Sequence, residues 1–510
     1  LCIKASQKLH DKMTWSVLRA KIDFFDTNPL GRILNRFSAD IGINDDLLPP
    51  TLYDFLVCAF IVLGGLATAV TVLPFILLVI PPLIIFFVRV RRTFVTTSRE
   101  LKRLEGLTRS PIFAMLSESL SGIATIRVNN ATDFFHHKFQ RAHDAHTRAF
   151  FSFVGTSRWL GFRMDSIMFI LMSLASFLSV LFKTQEWFNV DPAVLGLALT
   201  MLLQLGGTFQ WGVRQSAEVV NQMVSVERVS AFGHLISEAP LTTEKDNQNK
   251  DWPNEGSIEV KNLKVRYRSV LPPSLTGVSF SIQSGHRVGV VGRTGSGKST
   301  LVQALFRILD AEEGSIIVDG VDISTLGLHK LRTEMSVIPQ TPVLFSGCTL
   351  RENLDPFGKH TIDNIQNALA DVQMMEVVNQ LPDGMDSVVS EGGSNFSVGQ
   401  RQLICLARAI LRKSQVLVLD EPTANVDSKT DELLQDAIAK SFEGATIIAV
   451  AHRLDTIIDF DRILVLGNGK VLEYDSPKEL LSKESHFASM VKDTGESMEE
   501  TLRRRAFASN

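Results

Sequence analysis

The run Gly292-Arg293-Thr294-Gly295-Ser296-Gly297-Lys298-Ser299-Thr300 sets three glycines, a lysine and neighbouring hydroxyls in a spacing that can grip a chain of phosphates. An apolar β-type stretch at 288–291 precedes it and a helical stretch at 301–309 follows, the strand–loop–helix context such a loop requires. The glycines let backbone N–H groups close around phosphate oxygens, and the helix N-terminus adds a favourable dipole. Lys298 would reach the β- and γ-phosphates of ATP, and the Ser299 hydroxyl suits Mg²⁺. Further on, the apolar run 416–419 ends in Asp420-Glu421. Asp420 could hold Mg²⁺ through water, and Glu421 could orient or deprotonate an attacking water. A carboxylate pair after a strand is common in loops, and its weight here comes from the phosphate loop upstream.

Two differently written halves must position these residues. After Arg228, short β-type runs at 287–291, 314–318 and 415–419 alternate with helical stretches, which predicts an α/β P-loop NTPase domain over 258–490. Before it, 241–257 is polar with a Pro and a Gly and reads as a linker, within a boundary region 236–257. The charged end, 491–510, reads as a mobile tail, mobile above all over 496–510.

The first half is an all-α membrane domain, partial, over 1–235. Residues 55–88 carry no charge. As one helix they would be about 50 Å long against a hydrocarbon core of about 30 Å, so two crossings turning at Leu73-Pro74 fit better. Lys4, Lys8, Lys12, Arg19 and Lys21 lie before the run and Arg89, Arg91 and Arg92 after it, which predicts cytoplasmic flanks on both sides. A second apolar pair, 166–182 and 192–213, is separated by 183–191. The expected spans are therefore roughly 52–72, 74–90, 162–182 and 192–213. Residues 91–158 are too charged to cross and too periodic for a disordered loop, so they read as helices extending into the cytoplasm. Pro111 in Ser110-Pro111-Ile112-Phe113 sits where it would open a helix.

Composition closes off other classes. A net charge of −3 over 510 residues gives no support for a nucleic-acid partner. Cys2, Cys58, Cys348 and Cys405 are too scattered for a metal site or a disulfide framework. The chain opens on Leu1, without a secretory signal, and reads as a fragment lacking its front end.

Tyr267, the 292–300 loop, Gln340, Phe396-Ser397-Val398-Gly399-Gln400, Asp420-Glu421, Asn425-Val426-Asp427 and His452 follow the order of ABC-transporter nucleotide-binding domains, which 258–480 closely resembles. The resemblance implies that Tyr267 stacks on adenine and that Gln340 senses Mg²⁺ and couples to the membrane helices. It implies that Ser397, Gly399 and Gln400 close over a nucleotide held by an opposing domain, and that His452 contacts the γ-phosphate. Asp251-Trp252-Pro253, Arg266-Tyr267-Arg268 with Leu271-Pro272, and 395–406 look like the second nucleotide-binding domain of subfamily C, the multidrug-resistance-associated type. The stretches 24–38 and 225–229 look like that subfamily's second membrane domain, of the type I exporter fold, so that 24–32 and 110–120 fall where coupling helices lie. Val398 stands where the usual signature has a glycine, as in second domains that face a weaker nucleotide site. A member of this family would be a multi-pass ATP-driven exporter of the plasma membrane or a vacuolar or endomembrane, with its nucleotide domain in the cytoplasm and a first half as partner. An ATP-gated channel or regulatory subunit of the same subfamily is the alternative. Arg163, Trp211 and Arg214 fall where the subfamily binds organic anions. A guanidinium can pair with a carboxylate or sulfonate beside an aromatic face, yet either arginine could instead snorkel to the headgroups.

Overall fold

The computed structural model describes residues 2–184, 191–422, 428–451 and 453–508. It divides into two compact units, 1–18 with 28–235 and 19–27 with 236–510.

The first unit is helical. Helix α1 (Cys2–Leu18) precedes the short α2 (Ile22–Thr27), which belongs to the second unit. Pro29 then opens α3 (Leu30–Asn35), and two π-helical segments, Arg36–Asp40 and Ile43–Leu47, lead into α4 (Leu48–Val72). A tight turn at residues 73–75 reverses the chain into α5 (Ile76–Ser121), as the Leu73-Pro74 pair predicts. After α6 (Ile123–Val128) come α7 (Thr132–Thr184) and α8 (Pro192–Phe232), whose N-cap Asp191 accepts the N–H of Ala193. Small residues set the close approach of α4 to α8: a Cβ on Gly65 would meet Leu205 at 2.9 Å, and one on Gly212 would meet Cys58 at 2.9 Å. Buried Ala69, Leu171, Ala198, Leu202 and Leu205 fill one core, while Phe94, Leu160, Met164 and Val213 fill another. Phe60, Leu78, Phe169 and Leu203 face outward, as apolar side chains do toward lipid.

Among the described residues, Leu30–Val72, Thr132–Leu181 and Pro192–Phe232 are long and apolar enough to cross a membrane. In α5 the uncharged stretch ends at Arg89, Arg91 and Arg92, while the helix itself continues far beyond. It also continues through Pro111, contrary to the expectation that a helix starts there. Proline removes one i→i−4 bond, and packing along α7 carries the helix across the gap. The connection expected at 183–191 lies largely outside the described residues.

The second unit holds two sheets among the described residues. Strands β1 (Ile258–Val265), β2 (Leu275–Ile282), β4 (Ala311–Val318) and β5 (Val321–Asp322) form an antiparallel sheet in the order β2-β1-β4-β5. The other sheet runs β10-β9-β3-β8-β7-β6, from β3 (Arg287–Val291), β6 (Met335–Ile338), β7 (Val416–Asp420), β8 (Thr446–Val450), β9 (Arg462–Gly467) and β10 (Lys470–Asp475). All its pairings are parallel except the β9–β10 hairpin at the edge. Alternate residues of β7 enter different cores, Val416 and Val418 on one face and Leu417 and Leu419 on the other. This explains a run without polar alternation: both faces of a parallel sheet are covered.

The polar segment before this domain is ordered. It contains the helical turn α9 (Glu244–Gln248), capped reciprocally by Thr243 and Asp246. Trp252 is buried and its indole N–H donates to the Val318 carbonyl at 2.8 Å. Arg19–Thr27 joins the same unit: the Arg19 guanidinium donates to the carbonyls of Glu238 and Ala239, and Lys21 pairs with Asp310 at 3.0 Å.

The helices covering the large sheet are α10 (Lys298–Leu305), α11 (Leu328–Glu334), α12 (Leu350–Leu354), α13 (Ile362–Asp371), α14 (Met375–Asn379), α15 (Val398–Arg412) and α16 (Ser428–Ser441). At the C-terminus, α17 (Pro477–Leu481), α18 (His486–Lys492) and α19 (Glu496–Ala508) pack together. The expectation of a mobile tail is overturned: α19 buries Leu502 and Ala506 in the core, and the Arg503 guanidinium donates to the Leu481 carbonyl at 3.0 Å. The many charges in this segment occupy the outer face of an amphipathic helix.

Candidate nucleotide site

Three parallel strands end at one edge of the large sheet, and each hands over a candidate residue. From β3 the chain enters the glycine loop and then α10, from β6 it reaches Pro339-Gln340, and from β7 it reaches Asp420-Glu421. Ligands of open α/β sheets bind in the crevice beyond such strand ends.

The loop needs its glycines for backbone reasons. Gly292, Gly295 and Gly297 have φ of +154°, +81° and +105°. A Cβ on Gly292 would lie 2.2 Å from the Leu466 carbonyl oxygen and 2.6 Å from Ser296 Oγ, so the loop closes only around a bare Cα. Thr294, Gly295 and Ser299 are exposed, whereas Ser296, Gly297, Lys298 and Thr300 are buried. The β9–β10 turn braces the loop from behind, Gly469 N–H donating to the Ser296 carbonyl at 3.1 Å.

Lys298 is almost wholly buried, and its ammonium donates to the carbonyls of Gly292 at 2.8 Å and Arg293 at 3.4 Å. Burial lowers its pKa, against the opposing pull of Glu421 and Asp420. Burial, then the neighbouring Glu421, raises the pKa of Asp420, with Lys298 opposing. Among the described residues, one buried carboxylate oxygen of Asp420 has no hydrogen-bond partner. Glu421 holds φ of +49° and accepts from Gln340 Nε2 at 2.9 Å. One cation, two carboxylates and an amide thus gather at the strand ends beside the glycine loop. A buried ammonium beside two partly buried carboxylates fits a phosphate chain with a divalent cation: Asp420, Ser299 and Gln340 could offer oxygens to such a metal, and Lys298 its ammonium to the phosphates.

Tyr267 lies beside the same loop, its phenol 3.2 Å from Thr300 Oγ1 and its ring against the core beneath α10. The signature residues stand at another helix. Ser397 caps α15 by accepting the Gln400 N–H at 3.1 Å, while Gln400 Oε1 accepts the Ser397 N–H at 2.9 Å. Gly399 is buried, and a Cβ there would lie 3.0 Å from Thr430. His452 and Asn425-Val426-Asp427 lie outside the described residues.

In the helical unit, Trp211 on α8 is exposed and Arg214 is half-buried. The Arg163 guanidinium on α7 sits 5.5 Å from the centre of the Trp159 ring, a cation–π pair. Trp159 was not among the expected residues, although its i−4 spacing from Arg163 is visible in the sequence. Ser274 and Gly469, which contact the phosphate loop from distant segments, have no comparable local signal.

A helical membrane-type unit joined to this nucleotide site is the architecture of one class. The family model "ABC transporter" matches residues 275–424, and the model "ABC transporter transmembrane region" matches residues 1–205. The chain belongs to the ABC transporter family. It is a nucleotide-binding membrane protein whose relatives lie in subfamily C. Over 97% of its length it is 50% identical to ATP-binding cassette sub-family C member 4 of Homo sapiens, of which it covers 37%. It is 43% identical to sub-family C member 2 of Rattus norvegicus and 44% identical to the metal resistance protein YCF1 of Saccharomyces cerevisiae, again over 97% of the chain and 32% of each relative. The chain therefore spans about a third of the length of these relatives.

Proposed function

We propose that this chain is the ATP-binding and ATP-hydrolysing half of an exporter that moves organic anions, conjugates or amphipathic drugs across a membrane. The observation that carries the reading is the Lys298–Asp420–Glu421–Gln340 constellation beside the 292–300 loop, joined in one chain to long apolar helices. Loop N–H groups and Lys298 would hold the β- and γ-phosphates, with Tyr267 against adenine and His452 at the γ-phosphate. Glu421, steered by Gln340, would take the proton of a water whose oxygen attacks the γ-phosphorus as the β-phosphate oxygen leaves. Mg²⁺, held by Ser299, Gln340 and Asp420, would neutralise charge on the phosphates when bound.

Four crossings, α5 supplying the second, would place the nucleotide unit in the cytoplasm of a plasma, vacuolar or other internal membrane. Arg163 on Trp159, with Trp211 and Arg214, would offer guanidinium and aromatic faces to an anionic conjugate. Full turnover would need a second ABC half, because Ser397, Gly399 and Gln400 sit on their own helix, suited to a nucleotide held by another domain. The test is ATP-dependent uptake of a labelled glutathione conjugate into inside-out vesicles containing the chain with such a half. Uptake abolished by Glu421→Gln supports the reading. ATP-dependent current without uptake would instead favour a channel.

A further inference from the structure

We propose that Ser274 is a positioning residue for the nucleotide, acting by fixing the direction in which the Thr300 hydroxyl points. The proposal rests on the nucleotide-binding reading above. Thr300, buried at the start of α10, has two hydroxyl neighbours: Ser274 Oγ at 2.9 Å and the Tyr267 phenol at 3.2 Å. A hydroxyl has one hydrogen to donate, so Thr300 can donate toward only one neighbour at a time. When Ser274 donates to Thr300, the Thr300 hydrogen is turned away from Ser274, toward the phenol oxygen or whatever acceptor takes its place.

Ser274 is well held for that task. Its N–H donates to the Val265 carbonyl at 2.8 Å, and Leu275 pairs with Val265 at the start of β2. Its carbonyl lies where a Cβ on Gly469 would meet it at 2.4 Å and one on Gly297 at 3.2 Å, so its backbone is packed between the phosphate loop and the β9–β10 turn. The Ser274 hydroxyl is thus presented to Thr300 from a fixed backbone. When the Tyr267 ring moves onto a base, the phenol gives up its place and a phosphate oxygen can take the Thr300 hydrogen without any rotation. Serial donation, Ser274 to Thr300 to phosphate, strengthens each bond in the chain. Base stacking by Tyr267 and phosphate binding at α10 are in this way joined through one hydroxyl.

The test is titration of the full chain in lipid nanodiscs with a fluorescent ATP analogue, with unfolding midpoints measured alongside. Ser274→Ala should weaken binding about five- to tenfold, while Ser274→Thr, which keeps the hydroxyl, should bind within twofold of the parent chain. Ser274→Cys, similar in shape but a weak donor, should fall between them and serves if the alanine variant does not fold. Tyr267→Phe, which keeps the ring, should leave the Ser274→Ala loss undiminished, since the phenol is displaced in the bound state. Equal affinity in the alanine and parent chains overturns the proposal. So does an equal loss in the alanine and threonine variants, which would indicate a packing role. Failure of the nucleotide reading shows itself differently, as no saturable binding by the parent chain or as undiminished binding by Lys298→Met.

Discussion

Gly292→Ala tests the architecture of the phosphate loop more sharply than any charge removal. The added Cβ would stand 2.2 Å from the Leu466 carbonyl oxygen and 2.6 Å from Ser296 Oγ, about 1 Å inside ordinary contact. Leu466 cannot yield easily, because β9 is paired to β3 at Val291↔Val465 and Leu466 is buried in the core. The loop must therefore move, and each N–H drawn away from a charged phosphate oxygen costs roughly 1.5–3 kcal/mol. One such loss weakens ATP binding about tenfold to a hundredfold, and two weaken it about a hundredfold even at the lower figure. Gly444→Ala is the control: its φ of +78° is also positive and carries a backbone penalty of roughly 1–2 kcal/mol, but among the described residues no atom lies within 4 Å of a Cβ there. Both variants should lower the unfolding midpoint, but only Gly292→Ala should lose affinity. The assay is titration with a fluorescent ATP analogue beside thermal unfolding. If Gly292→Ala binds within threefold of the parent chain, the steric argument is refuted.

Three further outcomes follow from the same structure. Lys298→Met should weaken ATP binding by roughly thirtyfold or more without lowering the unfolding midpoint, since burial already disfavours the ammonium; its lowered folded pKa costs stability below that pKa, and the cost fades as pH rises from there toward the unfolded value near 10.4. A marked fall in the midpoint at neutral pH would contradict this. Burial tends to raise the pKa of Asp319, but N–H bonds from Gly256, Glu255 and Ser257 and the Ser257 hydroxyl more than offset it and leave it lowered. Asp319→Asn should therefore cost about 2 kcal/mol at pH 7, with the gap from the parent chain closing as pH falls below about 4 through the folded pKa, measured by denaturant unfolding at several pH values. Leu502→Asp places a carboxylate in the core and should destabilise the nucleotide unit by about 3 kcal/mol, seen as rapid cleavage near residue 495 in limited proteolysis; protease resistance equal to the parent chain would mean α19 contributes little.

The phosphate loop, the Asp420-Glu421 pair and the strands β3 and β7 that carry them were legible because each is written in a contiguous stretch: glycines at fixed offsets, an apolar strand, then an acid. The turn at Leu73-Pro74 was legible for the same reason. What escaped depends on partners far away in sequence. The charge-rich stretch 496–508 looks unstructured until α17 and α18 offer a surface to Leu502 and Ala506. Pro111 looks like a helix opening until α7 is seen to pack along α5. Trp252 sits in a polar segment, and its burial follows from an indole bond to Val318, a strand away. Likewise Ser274 is unremarkable by composition, and only the folding of β2 beside α10 brings it to Thr300.

The placement of Arg19–Thr27 in the nucleotide unit means that the polypeptide passes between the two units three times, after Leu18, after Thr27 and after Leu235. Ile22 packs against the nucleotide unit's core and Lys21 balances Asp310. A polypeptide starting at residue 236 would therefore carry an uncovered apolar spot and leave Asp310 with Arg307, 4.0 Å away, in place of Lys21, and a protease that nicks a single passage would leave the two units tethered. Mechanically, the first two passages bound a short segment, held to the Ile236 carbonyl by the Lys21 N–H and seated beside Arg266-Tyr267-Arg268, so a pull on either end of that segment is felt there.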